Sequence, residues 1–269
     1  MRILLLFLLK EARDVRTNKQ VWPVYLLLPP IALALPIFFV TVMPWLVSDK
    51  MEKGDAAMQY LARLAQEAEE FAGMPLDEAM SRLFLRNLVA FFLIMPLGIS
   101  SVSAAFSIVG EKQQRTLEPI LATPITDAQF MLGKMLASSV PAVVVTWATA
   151  LLTTIVVDFI SLNKYRAALL PDRFWAMGVV VLGPLLAVGA VLATMRVSAR
   201  MTDPQAANQF AGLVILPAFL VSLAIFGKVL TLSFAALCIA CLLMLSLDLF
   251  LFRLNLRKFQ REEILTRWK

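Results

Sequence analysis

Residues able to do chemistry are few in this chain, and their spacing argues against most reactions. Histidine is absent from all 269 residues, which removes the commonest metal ligand and the usual proton relay near neutral pH. A serine or cysteine nucleophile then lacks its usual base, so no catalytic residue is assigned. The two cysteines form Cys238-Ile-Ala-Cys241. That spacing suits redox or zinc chemistry only with further ligands nearby. Here both lie inside an apolar run and read as small buried residues, with no metal site. No Gly-x-x-x-x-Gly-Lys-Ser/Thr run is present to cradle a phosphate. Two carboxylates stand at the edges of apolar runs, Asp158 at the end of one and Asp248 near the end of another. Both are expected to be solvated at an interface, because an ionisable group at the bilayer midplane costs about 2.5–3.5 kcal/mol on insertion scales. A coupling-ion path through the chain is therefore not expected.

The elements that carry these residues are membrane-spanning. Apolar residues make up 60% of the chain, charged ones only 16%, and mean hydropathy is +0.79. Apolar runs long enough to cross a bilayer as helices recur along the sequence. Six spans are expected, at 22–47, 87–109, 131–157, 174–195, 209–226 and 229–252, with only Gly227-Lys228 between the last two. The fold class is thus an all-α membrane protein of six transmembrane helices, with an N-terminal interfacial helix and a small helical extracytoplasmic loop. Six spans put both termini on one side, and that side holds 16 of the 25 basic residues. The positive-inside bias makes it the cytoplasm, and it accounts for the net charge of +6 without any nucleic-acid partner.

Three regions follow: a cytoplasmic elbow helix at 1–21, a transmembrane domain at 22–252, and a basic tail at 253–269. The opening Met-Arg-Ile-Leu-Leu-Leu-Phe-Leu-Leu-Lys has too short an apolar core for a signal peptide, and charges follow it directly. An interfacial helix fits, its apolar end sunk among headgroups while Arg2, Lys10, Arg13, Arg16 and Lys19 meet anionic lipid. In the 48–86 loop, Met58, Leu61, Leu64, Ala65, Ala68 and Phe71 recur at helical spacing. Gly73 and Pro75 end that helix, and Asp77 and Glu78 suit the start of a second one leading into the second span. Eight prolines fall within spans, at 29, 30, 36, 44, 96, 141, 184 and 217, and kinks are expected there. Gly183, Gly189 and Ala193 allow close helix contact.

One polar segment, Glu111 to Lys134, interrupts the apolar pattern between the second and third spans. Thr126-Asp127-Ala128-Gln129 has the spacing of a capping box, flanked by Ile125 and Phe130 as a hydrophobic staple, so a helix is expected to start at Thr126. Upstream, Leu117, Ile120 and Leu121 make a short apolar face beside Glu111, Lys112, Arg115 and Glu118, with Pro119 and Pro124 as breaks.

The run Glu111-Lys112-Gln113-Gln114-Arg115-Thr116-Leu117-Glu118, then Leu121-Ala122-Thr123-Pro124-Ile125 and Gly133-Lys134, resembles the signature loop of type-2 ABC exporter permeases. That pattern is Glu-Arg-Glu-x-Gly-Thr-Leu-Glu, then Leu-Leu-x-Thr-Pro-Val/Ile and a Gly-Lys. This chain differs at Arg115, where glycine is usual, and at Gln113, where an acid is usual. The resemblance implies a coupling segment at 111–130 that packs on a separate ATPase through Glu111, Lys112, Arg115, Thr116, Leu117, Glu118, Ile120, Leu121 and Pro124. It also implies two ABC ATPase subunits that carry ATP and Mg, a second or homologous permease copy, a bacterial inner-membrane location, and no cofactor on this chain. The expected function is the permease subunit of an ATP-driven exporter. Two other readings share the layout: an ATPase-coupled assembly or maturation factor, and a stand-alone secondary transporter.

Overall fold

Small residues decide which helices sit inside. Between membrane helices there is little hydrophobic driving force, so association rests on close packing, and Gly, Ala and Ser permit it. The stretch 98–105 carries Gly98, Ser100, Ser101, Ser103, Ala104 and Ala105, and the stretch 187–190 carries Ala187, Gly189 and Ala190. In the computed structural model these two stretches lie in the centre of the bundle. The structure describes residues 21–42, 73–113, 126–198 and 233–258, with 9–10, 13, 17–19, 44–46, 56, 59, 63, 206, 209, 212–217 and 219–221 besides.

All regular structure among the described residues is helical. The elements are α1 (Trp22–Thr41), α2 (Leu76–Phe92), α3 (Ile94–Gln113), α4 (Asp127–Tyr165) and α5 (Arg173–Ala176), then a π-helical turn (Met177–Leu182), α6 (Gly183–Ser198) and α7 (Phe234–Lys258). Helix α6 packs on α3, α4 and α7, while α1 lies against α2, α3 and α4. Side chains such as Leu26, Leu27 and Ile31 of α1, Leu151, Ile155 and Phe159 of α4, and Leu242, Leu243 and Phe250 of α7 point outward. Those faces suit acyl chains.

Five helical stretches among the described residues are long and apolar enough to cross a bilayer: Trp22–Thr41, Leu76–Ser107, Asp127–Tyr165, Arg173–Ser198 and Phe234–Arg257. They coincide with the first, second, third, fourth and sixth expected spans. The fifth, at 209–226, contains the shorter apolar helix Gly212–Val221. The Gly227-Lys228 turn and residues 222–232 lie outside the described residues, as does most of the helix expected at 58–71. The second span starts earlier than its apolar run because α2 and α3 are continuous but for a turn at Leu93. Gly73 adopts φ +81°, and Pro75 then heads α2, its carbonyl accepting from the amides of Glu78 and Ala79. Asp77 and Glu78 lie in the first turn of α2, as the helix dipole favours.

The prolines divide into two groups. Pro29, Pro30 and Pro36 sit within α1 and Pro141 within α4, neither helix being interrupted. Pro96 and Pro184 instead follow breaks. A proline ring clashes with the carbonyl four residues earlier, which for Pro96 belongs to Phe92, and the chain turns at Leu93. Before Pro184 the helix widens to the π form, with the Gly183 amide donating to Gly178 O, five residues back. In that register the Val179 carbonyl would need the amide of residue 184, which proline lacks. The indole Nε1 of Trp147 on α4 donates to Val179 O at 3.1 Å and fills the gap.

Candidate functional site

The polar segment joins α3 to α4 in the chain, and the structure shows how its two roots are held. At the α4 root, Thr126 is an N-cap in extended conformation (φ −71°, ψ 154°). Its Oγ1 accepts from the Gln129 amide at 3.2 Å, and its own amide donates to Gln129 Oε1 at 3.1 Å. Both arms of the expected capping box are present. Asp127 adds a negative charge to the first turn.

Lys134, two turns into α4, fastens the other root. Its ammonium donates to Ser107 Oγ at 3.0 Å and to Ser107 O at 3.4 Å, and lies 5.4 Å from the centre of the Phe130 ring. Only 2% of Lys134 is exposed. Around it, Ala104, Met131, Val191 and Met195 form a packed cluster joining α3, α4 and α6. Sequence reasoning matched Gly133-Lys134 to the loop pattern but left Lys134 off the residues expected to act. The signal was present in the motif; what was missing was Ser107, 27 positions upstream.

The expected coupling residues are placed only in part. Glu111 and Lys112 lie on the last turn of α3, and their side chains are not described. Arg115, Thr116, Leu117, Glu118, Ile120, Leu121 and Pro124 lie outside the described residues. Of the expected membrane-surface residues, Lys10 and Arg13 are helical and Lys19 sits in a turn, with Arg13 and Lys19 exposed. Thr17 Oγ1 donates to Arg13 O at 3.0 Å. Arg2 and Arg16 lie outside the described residues.

The opposite end of the bundle is a polar knot. Asp158 Oδ1 accepts from the amides of Leu169 and Leu170 at 3.0 and 2.9 Å, so this carboxylate holds the loop after α4 and is not merely solvated. Ser161 Oγ donates to Ala167 O at 2.9 Å. Tyr165 Oη donates to Asp77 O at 3.2 Å and lies 3.0 Å from Ser81 Oγ. Arg82 pairs with Glu78 at 2.8 Å and also reaches Ala168 O at 3.3 Å. Lys164 Nζ donates to Val40 O at 3.4 Å, drawing α1 in.

Asp248 is the clearer correction. It was expected at an interface, yet it is only 6% exposed and packs against α6. The two cysteines are free thiols, Cys241 buried in the main apolar cluster and Cys238 half-buried. Among the described residues no three of His, Cys, Asp or Glu gather as a metal site.

A multi-pass helical bundle, with a polar segment rooted between its second and third spans, defines an all-helical membrane protein. Residues 5–255 match the family described as ABC-2 family transporter protein, so the chain belongs to that family and is an ABC-2 type permease. No curated protein matches it. The family is a transport component and not itself catalytic.

Proposed function

We propose that this chain is the permease subunit of an ATP-driven exporter, and that the 111–124 segment receives force from a separate ATPase. The observation carrying this reading is the double fastening of the segment's roots, by the Thr126–Gln129 capping box and by Lys134 on Ser107. A push on a segment tied at both ends moves the ends of α3 and α4 together. Through the cluster around Met131 and Val191 it also bears on α6. A loosely tethered loop would absorb the same push.

In this reading both termini and the segment face the cytoplasm of a bacterial inner membrane, with the elbow helix on anionic lipid. Two ATPase subunits bring ATP and Mg, and a second permease completes the assembly. Glu111, Lys112, Arg115 and Glu118 make charged contacts with the ATPase, while Leu117, Ile120 and Leu121 bury apolar surface against it. Substrate leaves the cytoplasm when ATP closes the ATPase pair.

The test is charge reversal at Glu111→Lys and Glu118→Lys. The double variant should lose ATPase co-purification by about tenfold or more, as expected when paired interface charges become repulsive. Intact co-purification together with intact transport-stimulated ATP hydrolysis would reject the docking role.

A further inference from the structure

Asp248 stands on α7 in the seam with α6, only 6% exposed, and among the described residues neither carboxylate oxygen receives a hydrogen bond. Its neighbour across the seam is Gly189. A Cβ at that position would come within 2.6 Å of Asp248 Oδ1 and of Met244 Cε, so glycine is what makes room for the carboxylate. Seven residues further along α7, Asn255 Nδ2 donates to Leu192 O at 3.0 Å. Both contacts pair a later residue of α6 with a later residue of α7, so the two helices run parallel.

Arg196 lies seven residues beyond Gly189, two helical turns on, and therefore on the same face of α6. Its Nη1 is buried and has no acceptor among the described residues. The register places its Cα near the level of Asn255, about 10 Å along the axis from Asp248 at ~1.5 Å rise per residue. Long helical side chains lean toward the helix N-terminus, which aims the guanidinium back toward Asp248. A carboxylate and a guanidinium kept apart in one seam would be costly inside a membrane, and a state in which they meet would lower that cost.

We propose that Asp248 and Arg196 are the two halves of an ion pair that closes across the α6–α7 seam in another state of the transport cycle. This structure holds them apart. A cation arriving from outside fits less well, because Arg196 already supplies positive charge on the same face. Closure needs either a rotamer change at Arg196 or a slide of α7 along α6, and Gly189 offers no side chain to obstruct it. The pair thus acts as a positioning device for two helices that cross in the same direction. It rests on the permease reading only for its dependence on nucleotide.

Cross-linking tests it directly. Full-length chain carrying Arg196→Cys and Asp248→Cys, with Cys238→Ala and Cys241→Ala, is treated in native membranes with a short bifunctional methanethiosulfonate. Yield should rise about threefold or more when co-expressed ATPase is trapped with ATP and vanadate, a shift of the two-state population. Complexes that retain the ATPase and trap nucleotide but show equal or no cross-linking in every nucleotide state would overturn the pair and leave the permease reading standing. If no ATPase associates, cross-linking in the chain alone still supports the pair, and its absence overturns it. In parallel, Asp248→Asn and Arg196→Gln should each lower ATP turnover about fivefold, while the exchange Arg196→Asp with Asp248→Arg restores it to within about twofold, the signature of coupled residues. An exchange no better than the product of the singles would also overturn the pair.

Discussion

The two ends of this bundle handle their polar groups in opposite ways. At the end where α4 meets α2, Asp158, Ser161, Tyr165, Arg82 and Lys164 spend their hydrogen bonds on backbone and side chains of three segments. From the middle toward the 114–125 end, Ser101 Oγ, Thr194 Oγ1 and both oxygens of Asp248 are buried without partners among the described residues. Satisfied buried networks fix one arrangement, whereas unsatisfied groups lower the cost of leaving it. The first end has the character of an anchor. On the proposed function the second is the end that changes, with Lys134 and the capping box keeping the segment's roots in register.

The largest expected effect is at the anchor. Asp158→Ala removes the acceptor of two loop amides at Leu169 and Leu170. Leaving buried donors unpaired costs about 1–3 kcal/mol per group, so for the two amides a loss of about 2–6 kcal/mol is expected. Thermal unfolding of purified full-length chain in detergent would register it as a clear drop in Tm. Specific activity of the protein that remains folded should be near normal. An unchanged Tm would remove the contrast between the two ends.

The sequence made some of this visible, and the division follows the range of each interaction. The capping box at Thr126 and the start of α2 behind Pro75 depend on residues within about one helical turn, and five of the six expected spans on unbroken apolar runs, where local rules act. The π turn lay one step further off: Pro184 was noted as a kink, but the relief of its missing amide came from Trp147 on another helix. Asp158 and Asp248 were both assigned to an interface because hydropathy places a residue by depth alone. Depth does not say that Leu169 and Leu170 fold back over one, or that Gly189 opens a slot for the other. Lys134 is the instructive case. Its motif was legible, but its role needed the register of α3 against α4, which no local pattern carries.

A smaller effect, of a different kind, is expected at the end where Lys134 meets Ser107. Lys134→Met keeps the side chain's length and most of its packing but deletes the ammonium that holds Ser107. If that clamp transmits force, substrate-stimulated ATP turnover of the assembled complex should fall about tenfold, equivalent to about 1.4 kcal/mol. Melting should shift by less than about 1 kcal/mol, since replacing a buried charge by an apolar group of similar volume is often nearly neutral. A Lys134→Met chain that unfolds as readily as Asp158→Ala would mean both ends are anchors.

The smallest effect separates the two fastenings of the 111–124 segment's roots from each other. Thr126→Ala removes one arm of the capping box and leaves Gln129 Oε1 free to accept from the backbone amide at position 126. N-cap removal at an exposed site costs about 0.5–1 kcal/mol, spread over the first turn of α4. Lys134 sits seven residues past Asp127, beyond that turn, so its hold on Ser107 should survive and turnover should fall by less than about twofold. Hydrogen exchange of the amides at 127–130 would show the frayed turn directly. If Thr126→Ala reduced turnover as much as Lys134→Met, the capping box and not the buried lysine would be the stiff joint between segment and span.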